Sequence, residues 1–510
     1  MYIMTSYDFF TAGTMAKKTI DDNTGKRSAS TAFKKIDDLL NSPGGGCSTA
    51  LDRMEQSSWI LFLRYLDARE EDRKMEAELR GEEYTPILPS NLSWGAWAWP
   101  VKADGTFDLE NSLKGDQLIE FVKTDLLSGL KALRDTAEVG SGTQQVGNVF
   151  QDLQCRISSG YTLREVIDLI QPLSFQTEED RHELTVLYED RLNDMGNAGR
   201  NGGQYYTPRP LIRVMVRLLD PQIGETFYDG ACGSGGFLCE AYKHLLANAG
   251  TDPKAWNQLQ TKSIYGSEVK PLAYMTSLMN CILHGLETPN LKLQDTLSEN
   301  IANYQDADRV DVIGTNPPFG ADVEESTKKN FITRSSESAY LFMEHFIAKL
   351  KPNGRAAIIV KNTILSNTDS ASIYLRRQLL EKCRLEWILD LPQKVFSAGV
   401  KAVVLFFHKG GPTTESIHYY ELDLNGVSLG KTRPLKESDL EEFEALFTGK
   451  KTSEGVKATW TVDPAKIDKT TYDLSVRNPN IEEEKIRPST EIRAEITDVY
   501  ARIGKLLEDN

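Results

Sequence analysis

Asp229-Gly230-Ala231-Cys232-Gly233-Ser234-Gly235-Gly236-Phe237 decides the fold of this 510-residue chain. A short apolar run, Thr226-Phe227-Tyr228, leads into it, and an amphipathic stretch over 237–249 follows. A strand therefore turns into a helix across the glycines at 233, 235 and 236. Glycine bends through positive φ at little steric cost and lets backbone approach a ligand closely where a strand becomes a helix. No Walker lysine follows these glycines, and the loop contains neither GKS nor GKT. That disfavours ATP hydrolysis. A dinucleotide would suit a glycine loop followed by an acid, so the loop alone leaves the ligand open.

Short apolar runs and amphipathic stretches alternate on both sides of this turn. Strands are expected near 226–228, 263–266, 291–293, 310–313, 355–360, 385–389 and 403–407, with helices near 237–249, 271–284, 337–350 and 372–382. Such alternation specifies an α/β domain, here a Rossmann-like, seven-stranded, mostly parallel sheet. The connection 390–401 is too short for a crossover helix, so the last two strands should pair antiparallel.

Chemistry-bearing residues recur at the carboxyl ends of these strands, where open α/β sheets bind ligands. Asp229 ends the first strand and can receive a cationic amine. Glu268 ends the second and can accept ribose hydroxyls. Asp295 follows the third and can accept from an adenine amino group; a helix cap or a solvated loop acid is the plainer reading of either acid alone. The fourth run, Asp311-Val312-Ile313-Gly314-Thr315, ends in Asn316-Pro317-Pro318-Phe319. The prolines donate no backbone hydrogen bonds and stop the strand. An amide oxygen, a rigid carbonyl and an aromatic face can hold a planar amino group, accept both its N–H bonds and stack on its ring. The plainer alternative is a proline-stopped turn over a buried Phe.

Before the sheet, residues 29–195 read as helical, with breaks at Gly44-Gly45-Gly46 and Gly140-Ser141-Gly142. Ser93-Trp94-Gly95-Ala96-Trp97-Ala98-Trp99 should anchor a loop on that core. Met15-Ala16-Lys17-Lys18 resembles a second start, so residues 1–28 are expected to be a disordered extension. Residues 196–410 form the expected catalytic domain and 411–510 a polar C-terminal extension. The extension closes in an amphipathic helix over 491–507, with one apolar stripe expected to pack on its own domain or, alternatively, to dock a partner.

The composition is 40% apolar and 26% charged with a net charge of −15, and the cysteines 47, 155, 232, 239, 281 and 383 show no paired spacing. These features suggest a soluble, cytoplasmic protein with reduced thiols and no structural metal. No run is long enough to span a membrane, and no signal-peptide pattern opens the chain. An acidic chain does not present the basic surface of an unaided nucleic-acid binder.

The set Gly203-Gln204-Tyr205-Tyr206-Thr207-Pro208-Arg209, Asp229–Phe237, Asp295-Thr296-Leu297 and Asn316-Pro317-Pro318-Phe319 resembles the DNA adenine-N6 methyltransferases of the gamma motif order. It is most similar to the modification subunit of type I restriction–modification systems. Residues 29–195, the stretch from Leu391 to Val400 and Tyr472-Asp473-Leu474-Ser475 share the likeness. Gly230 departs from it, standing where that family usually has proline.

The resemblance implies S-adenosyl-L-methionine (AdoMet) as cofactor. Tyr206, Thr207 and nearby backbone would hold its methionine carboxylate. Asp229, Gly233, Ser234, Gly235 and Gly236 would line the methionine part, Glu268 the ribose and Asp295 the adenine. It implies that Asn316 and Pro317 bind the target amine and Phe319 stacks on a flipped-out base in double-stranded DNA. It also implies a separate DNA specificity subunit, a restriction (translocase) subunit and two copies of this chain per complex. Related NPP-aromatic motifs serve methyltransferases of protein glutamine or RNA, and a catalytically silent scaffold would retain the same fold; both alternatives stay open at this level.

Overall fold

The computed structural model describes residues 22–81, 83–138, 141–175, 177–196, 207–250, 252–286, 289–320, 323–396, 399–411, 414–424, 427–430, 433–481 and 489–508. The glycine-tyrosine stretch 203–206 and residues 1–21 lie outside this set.

The strands are β1 (Phe227–Asp229), β2 (Ile264–Glu268), β3 (Asn290–Leu293), β4 (Val310–Thr315), β5 (Leu350–Lys361), β6 (Cys383–Asp390), β7 (Ala402–Lys409), β8 (Ile417–Glu421) and β9 (Thr459–Val462). They form one sheet in the order β3-β2-β1-β4-β5-β7-β6-β8-β9. β1 to β5 run parallel, and β7 is antiparallel to both β5 and β6. All the expected strands form, and the short 390–401 connection gives the antiparallel pair that its length requires.

The expected count of seven is corrected to nine. β8 pairs parallel with β6, and β9 pairs antiparallel with β8. The sheet therefore continues beyond residue 410. Ile417-His418-Tyr419-Tyr420 falls inside the stretch expected to be a polar extension. It becomes a strand because it covers the edge that β6 would otherwise expose. Tyr419 then stacks on Trp460 of β9 at 5.1 Å between centroids.

β1 has β2 on one side and β4 on the other, so successive crossovers leave the sheet in opposite directions there. A crevice opens at the carboxyl ends of the strands at this switch.

The helices of the N-terminal region pack directly on this domain. The helix Pro271–Leu283 is buried from Ala273 to Leu283 and touches both Ala50–Arg80 and Glu178–Gly196. It is buried all round because the sheet covers one side and the helical region the other. Ala50–Arg80 opens with a capping box between Thr49 and Asp52 and ends at Gly81 with φ 70°. Trp94 and Trp97 are buried, with Trp97 6.4 Å from Trp59, so the Trp loop anchors on the core. The first helix, Asp22–Leu40, opens inside the segment expected to be extension.

At the other end, Ser489–Glu508 is helical, but Ile496, Val499, Tyr500 and Ile503 are exposed. The apolar stripe expected to pack on its own domain does not do so at these positions.

Candidate active site

The β4 turn places the most informative group. Val312 and Ile313 are fully buried, and Pro317 and Pro318 end the strand at the sheet edge. Asn316 Nδ2 donates to Thr207 Oγ1 at 3.0 Å. Its Oδ1 is shielded from solvent and has no hydrogen-bond partner among the described residues. A buried acceptor left unmade costs about 1–3 kcal/mol, so an orphan in a native fold calls for an explanation. Phe319 is half-buried and meets Phe396 edge-on, with centroids 6.2 Å apart and planes at 89°. Past the turn, Lys361 Nζ at the end of β5 lies 3.3 Å from Glu337 Oε1.

The neighbouring strand ends carry the acids. Asp229 is 1% exposed, and its Oδ1 accepts from Thr315 Oγ1 at 2.6 Å and Ala231 N at 3.0 Å. Burial pushes its carboxyl up to about 7, with those two bonds opposing and Glu268 adding. Glu268 is also buried. Its Oε2 accepts from Gly233 N at 3.0 Å and its Oε1 from Lys270 N at 2.8 Å. Burial raises its pKa, and the backbone donors oppose the rise. Glu268 thereby ties the end of β2 to the glycine loop. Asp295 is exposed and caps the turn Thr296–Ser298 by accepting from Leu297 N at 3.0 Å. Thr296 Oγ1 donates to Gly230 O at 2.6 Å, which links the ends of β3 and β1.

Within the loop, Gly233 has φ 52° and Gly235 φ 79°. A Cβ on Gly235 would stand 2.6 Å from the Ser277 hydroxyl, and one on Gly236 would collide with Arg209 Nη1. Gly235 is held to glycine by its positive φ and by Ser277, whereas a Cβ at Gly236 would push the end of the Arg209 side chain aside. An Asp at 235 would therefore disrupt the fold before it tested a ligand. Ser234 is buried, and its carbonyl accepts from Asn280 Nδ2 at 2.9 Å. At Gly230 a Cβ would press on Tyr228 and Phe346, whose rings fill the space.

Asp229 and Glu268 end strands, Gly236 opens a helix, and Gly233, Ser234, Gly235, Asp295, Thr207, Asn316, Pro317 and Phe319 lie on the adjoining loops at the carboxyl edge of the sheet; Tyr206 lies outside the described residues. Sequence reasoning did not assign Thr315 or Phe396. The only signal for Thr315 is its place directly before Asn316. Phe396 lies 77 positions beyond Phe319 in the chain, and only folding brings the rings together.

A sequence model of the N-6 DNA methylase family matches residues 179–487, and one of the HsdM N-terminal domain matches residues 30–170. The chain belongs to the N-6 DNA methylase family. It is 33% identical over 492 residues to the type I restriction enzyme EcoEI methylase subunit of Escherichia coli, covering 94% of this chain and 96% of that one. A modification subunit of a putative type I restriction enzyme from Vibrio vulnificus superposes with a TM-score of 0.76 at 32% identity, covering 89% of this chain and 97% of that one. A further solved chain, from work on type I complex assembly and conformational transition, gives 0.77 at 31% identity over 95% of this chain and 97% of its own. This methylase-family chain is an adenine-specific DNA methyltransferase of the type I modification-subunit class.

Proposed function

We propose that this chain transfers a methyl group from AdoMet to N6 of an adenine flipped out of double-stranded DNA, as a subunit whose sequence specificity is supplied by a separate chain. The observation that carries this reading is the unpartnered Oδ1 of Asn316 at a proline-stiffened turn beside the Phe319 and Phe396 rings. An amide oxygen aimed to accept, next to an aromatic face, matches an amino-bearing planar base. Such a base cannot reach the pocket inside a duplex and must leave the stack.

The residues present fit the cofactor. Beside the positive-φ glycine at 233, the buried Asp229, Glu268 at the end of β2 and Asp295 just after β3 match an ammonium, a ribose and an adenine in that order. In this reading Tyr206, Thr207, Asp229, Gly233, Ser234, Gly235, Gly236, Glu268 and Asp295 hold it. When bound, AdoMet supplies an activated methyl group.

Asn316 Oδ1 accepts one proton of the target amine and the Pro317 carbonyl the other. Holding both protons localises the nitrogen lone pair and raises its nucleophilicity without a strong base. These acceptors gain most as positive charge develops on nitrogen, so they favour the transition state over the ground state. The Phe319 ring offsets part of the unstacking, with Phe396 bracing its edge.

The net charge of −15 leaves phosphate neutralisation to a partner. The exposed stripe Ile496, Val499, Tyr500 and Ile503 is a surface on which the specificity subunit can dock. A restriction (translocase) subunit, two copies of this chain per complex and a cytoplasmic location complete the proposal. Among the described residues no helix is long and apolar enough to cross a membrane.

The test pairs AdoMet titration with methylation of unmodified DNA, with and without the specificity subunit, alongside protein and RNA substrates. Site-specific N6 methylation that depends on the second subunit is expected. Efficient sequence-specific methylation by the chain alone would overturn the partner assignment, and transfer to protein or RNA alone would overturn the substrate.

A further inference from the structure

Glu189 lies on the helix Glu178–Gly196, and Arg209 opens the helix Arg209–Leu219. Arg209 Nη2 stands 3.1 Å from Glu189 Oε1, with side chains 6% and 15% exposed. The two are held by charge rather than by an aligned hydrogen bond. His284 Nε2 approaches the same oxygen at 3.7 Å. Burial works against the charge on Glu189, but Arg209 and His284 outweigh it and hold the carboxyl below its usual range.

The other arm of the guanidinium points elsewhere. Arg209 Nη1 occupies the space where a Cβ of Gly236 would stand. Gly236 is the first residue of the helix Gly236–Ala249, and Gly235 caps it with φ 79°. Asn280 of the helix Pro271–Leu283 donates to the Ser234 carbonyl at 2.9 Å. The glycine loop is thus held at Ser234 by Asn280 and met at Gly236 by Arg209, side chains that a ligand at the strand ends need not touch.

This arrangement is costly. A cation at a helix N-terminus opposes the helix dipole. A buried ion pair seldom adds net stability over well-packed apolar residues. Glu189 makes the guanidinium tolerable there, and what the pair accomplishes is the placement of Gly235 and Gly236.

We infer that Glu189 and Arg209 are positioning residues for the methyl-donor site: the outer helix Glu178–Gly196 holds the Arg209 guanidinium against the glycine loop and sets the loop's affinity for the cofactor. This rests on the AdoMet reading above. Neither residue touches the cofactor, and both act through backbone at 234–236. The helical layer packed on the sheet is therefore part of the cofactor site, and a partner that shifts Glu178–Gly196 changes cofactor affinity without entering the crevice.

The test uses the full chain, with AdoMet titration by calorimetry and thermal melting for wild type, Glu189→Gln, Arg209→Lys and the double variant Glu189→Leu/Arg209→Met. Each single variant should weaken AdoMet binding by roughly tenfold or more. Arg209→Lys keeps the charge but loses the planar fork over Gly236, so its affinity should fall while its melting temperature stays close to wild type. The double variant removes both charges and should recover the melting temperature but not the affinity.

A folded Glu189→Gln or Arg209→Lys protein with wild-type affinity overturns the inference. So does a double variant that recovers both stability and affinity, since the pair would then be structural only. Should the double variant not fold, Arg209→Lys decides alone. A wild-type chain that binds no AdoMet removes the underlying reading and this inference with it.

Discussion

The two halves of the sheet edge differ in how completely their polar groups are satisfied. On the side proposed for the cofactor, both Glu268 oxygens take backbone N–H groups, Asp229 Oδ1 takes two donors, and the Ser234 and Gly230 carbonyls take side chains. On the target side, Asn316 Oδ1 has nothing among the described residues, and Phe319 is only half-covered. In the proposed reading one half is preformed and the other is completed by what it binds. Cofactor capture then needs little rearrangement. Base capture requires a neighbouring group to move aside, because the waiting oxygen is shielded from solvent.

The largest effect should come from the unsatisfied half. Asn316→Ala is expected to slow single-turnover methylation of hemimethylated DNA by roughly 10²–10³ with AdoMet affinity unchanged. Its melting temperature should stay close to wild type, because relief of the unpartnered buried oxygen offsets the lost Nδ2–Thr207 hydrogen bond. A folded variant with a normal transfer rate would erase the contrast between the halves.

Asp229 sharpens the comparison from the satisfied side. Its carboxyl is raised by burial from 3.8 to about 7, so between those values the folded state binds more proton than the unfolded state. Stability therefore falls as pH rises through that window. Asp229→Asn keeps an oxygen for Thr315 and Ala231 and has nothing to titrate. Wild type should lose about 2–3 kcal/mol relative to this variant between pH 5 and 7. Parallel melting curves of the two proteins across that range would show instead that Asp229 stays ionised in the fold.

Phe319→Ala should weaken capture of the flipped base by roughly 1–3 kcal/mol, read from the fluorescence of 2-aminopurine placed at the target position. Phe319→Trp should keep partial capture because it retains a ring face. Equal loss in both variants would assign Phe319 to packing against Phe396. The smallest effect is expected at the bond between the halves. Thr207→Val removes the acceptor of Asn316 Nδ2 and should cost roughly 0.5–1.5 kcal/mol in the transfer step. A change in AdoMet affinity alone would place Thr207 wholly on the cofactor side.

Much of this was legible from residue order. The alternation of apolar runs, the glycines at 233, 235 and 236 and the prolines at 317 and 318 are local signals, because strand period, positive φ and a missing N–H act within a few residues. They place the strands β1 to β7, the antiparallel β6–β7 pair and the site residues at the carboxyl edge. The unforeseen features depend on distant neighbours. β8 is a strand because β6 offers an unpaired edge, and it lies in a stretch expected only to be a polar extension. Ser277 stands against Gly235 and the Arg209 guanidinium against Gly236, neighbours that no local signal announces.

The amino-acid order by itself determined the α/β class, the strand-end acids and the Asn-Pro-Pro-Phe turn, since each depends on short-range backbone sterics and periodicity. Only the tertiary structure decided which polar groups were satisfied and which was left open. That Asp229 is buried enough to hold its proton near neutral pH, that Phe396 meets Phe319, and that Glu189 reaches Arg209 over the glycine loop all depend on burial and on contacts between segments far apart in the chain. Desolvation and pairing are properties of the packed surroundings, and no stretch of sequence carries its surroundings with it.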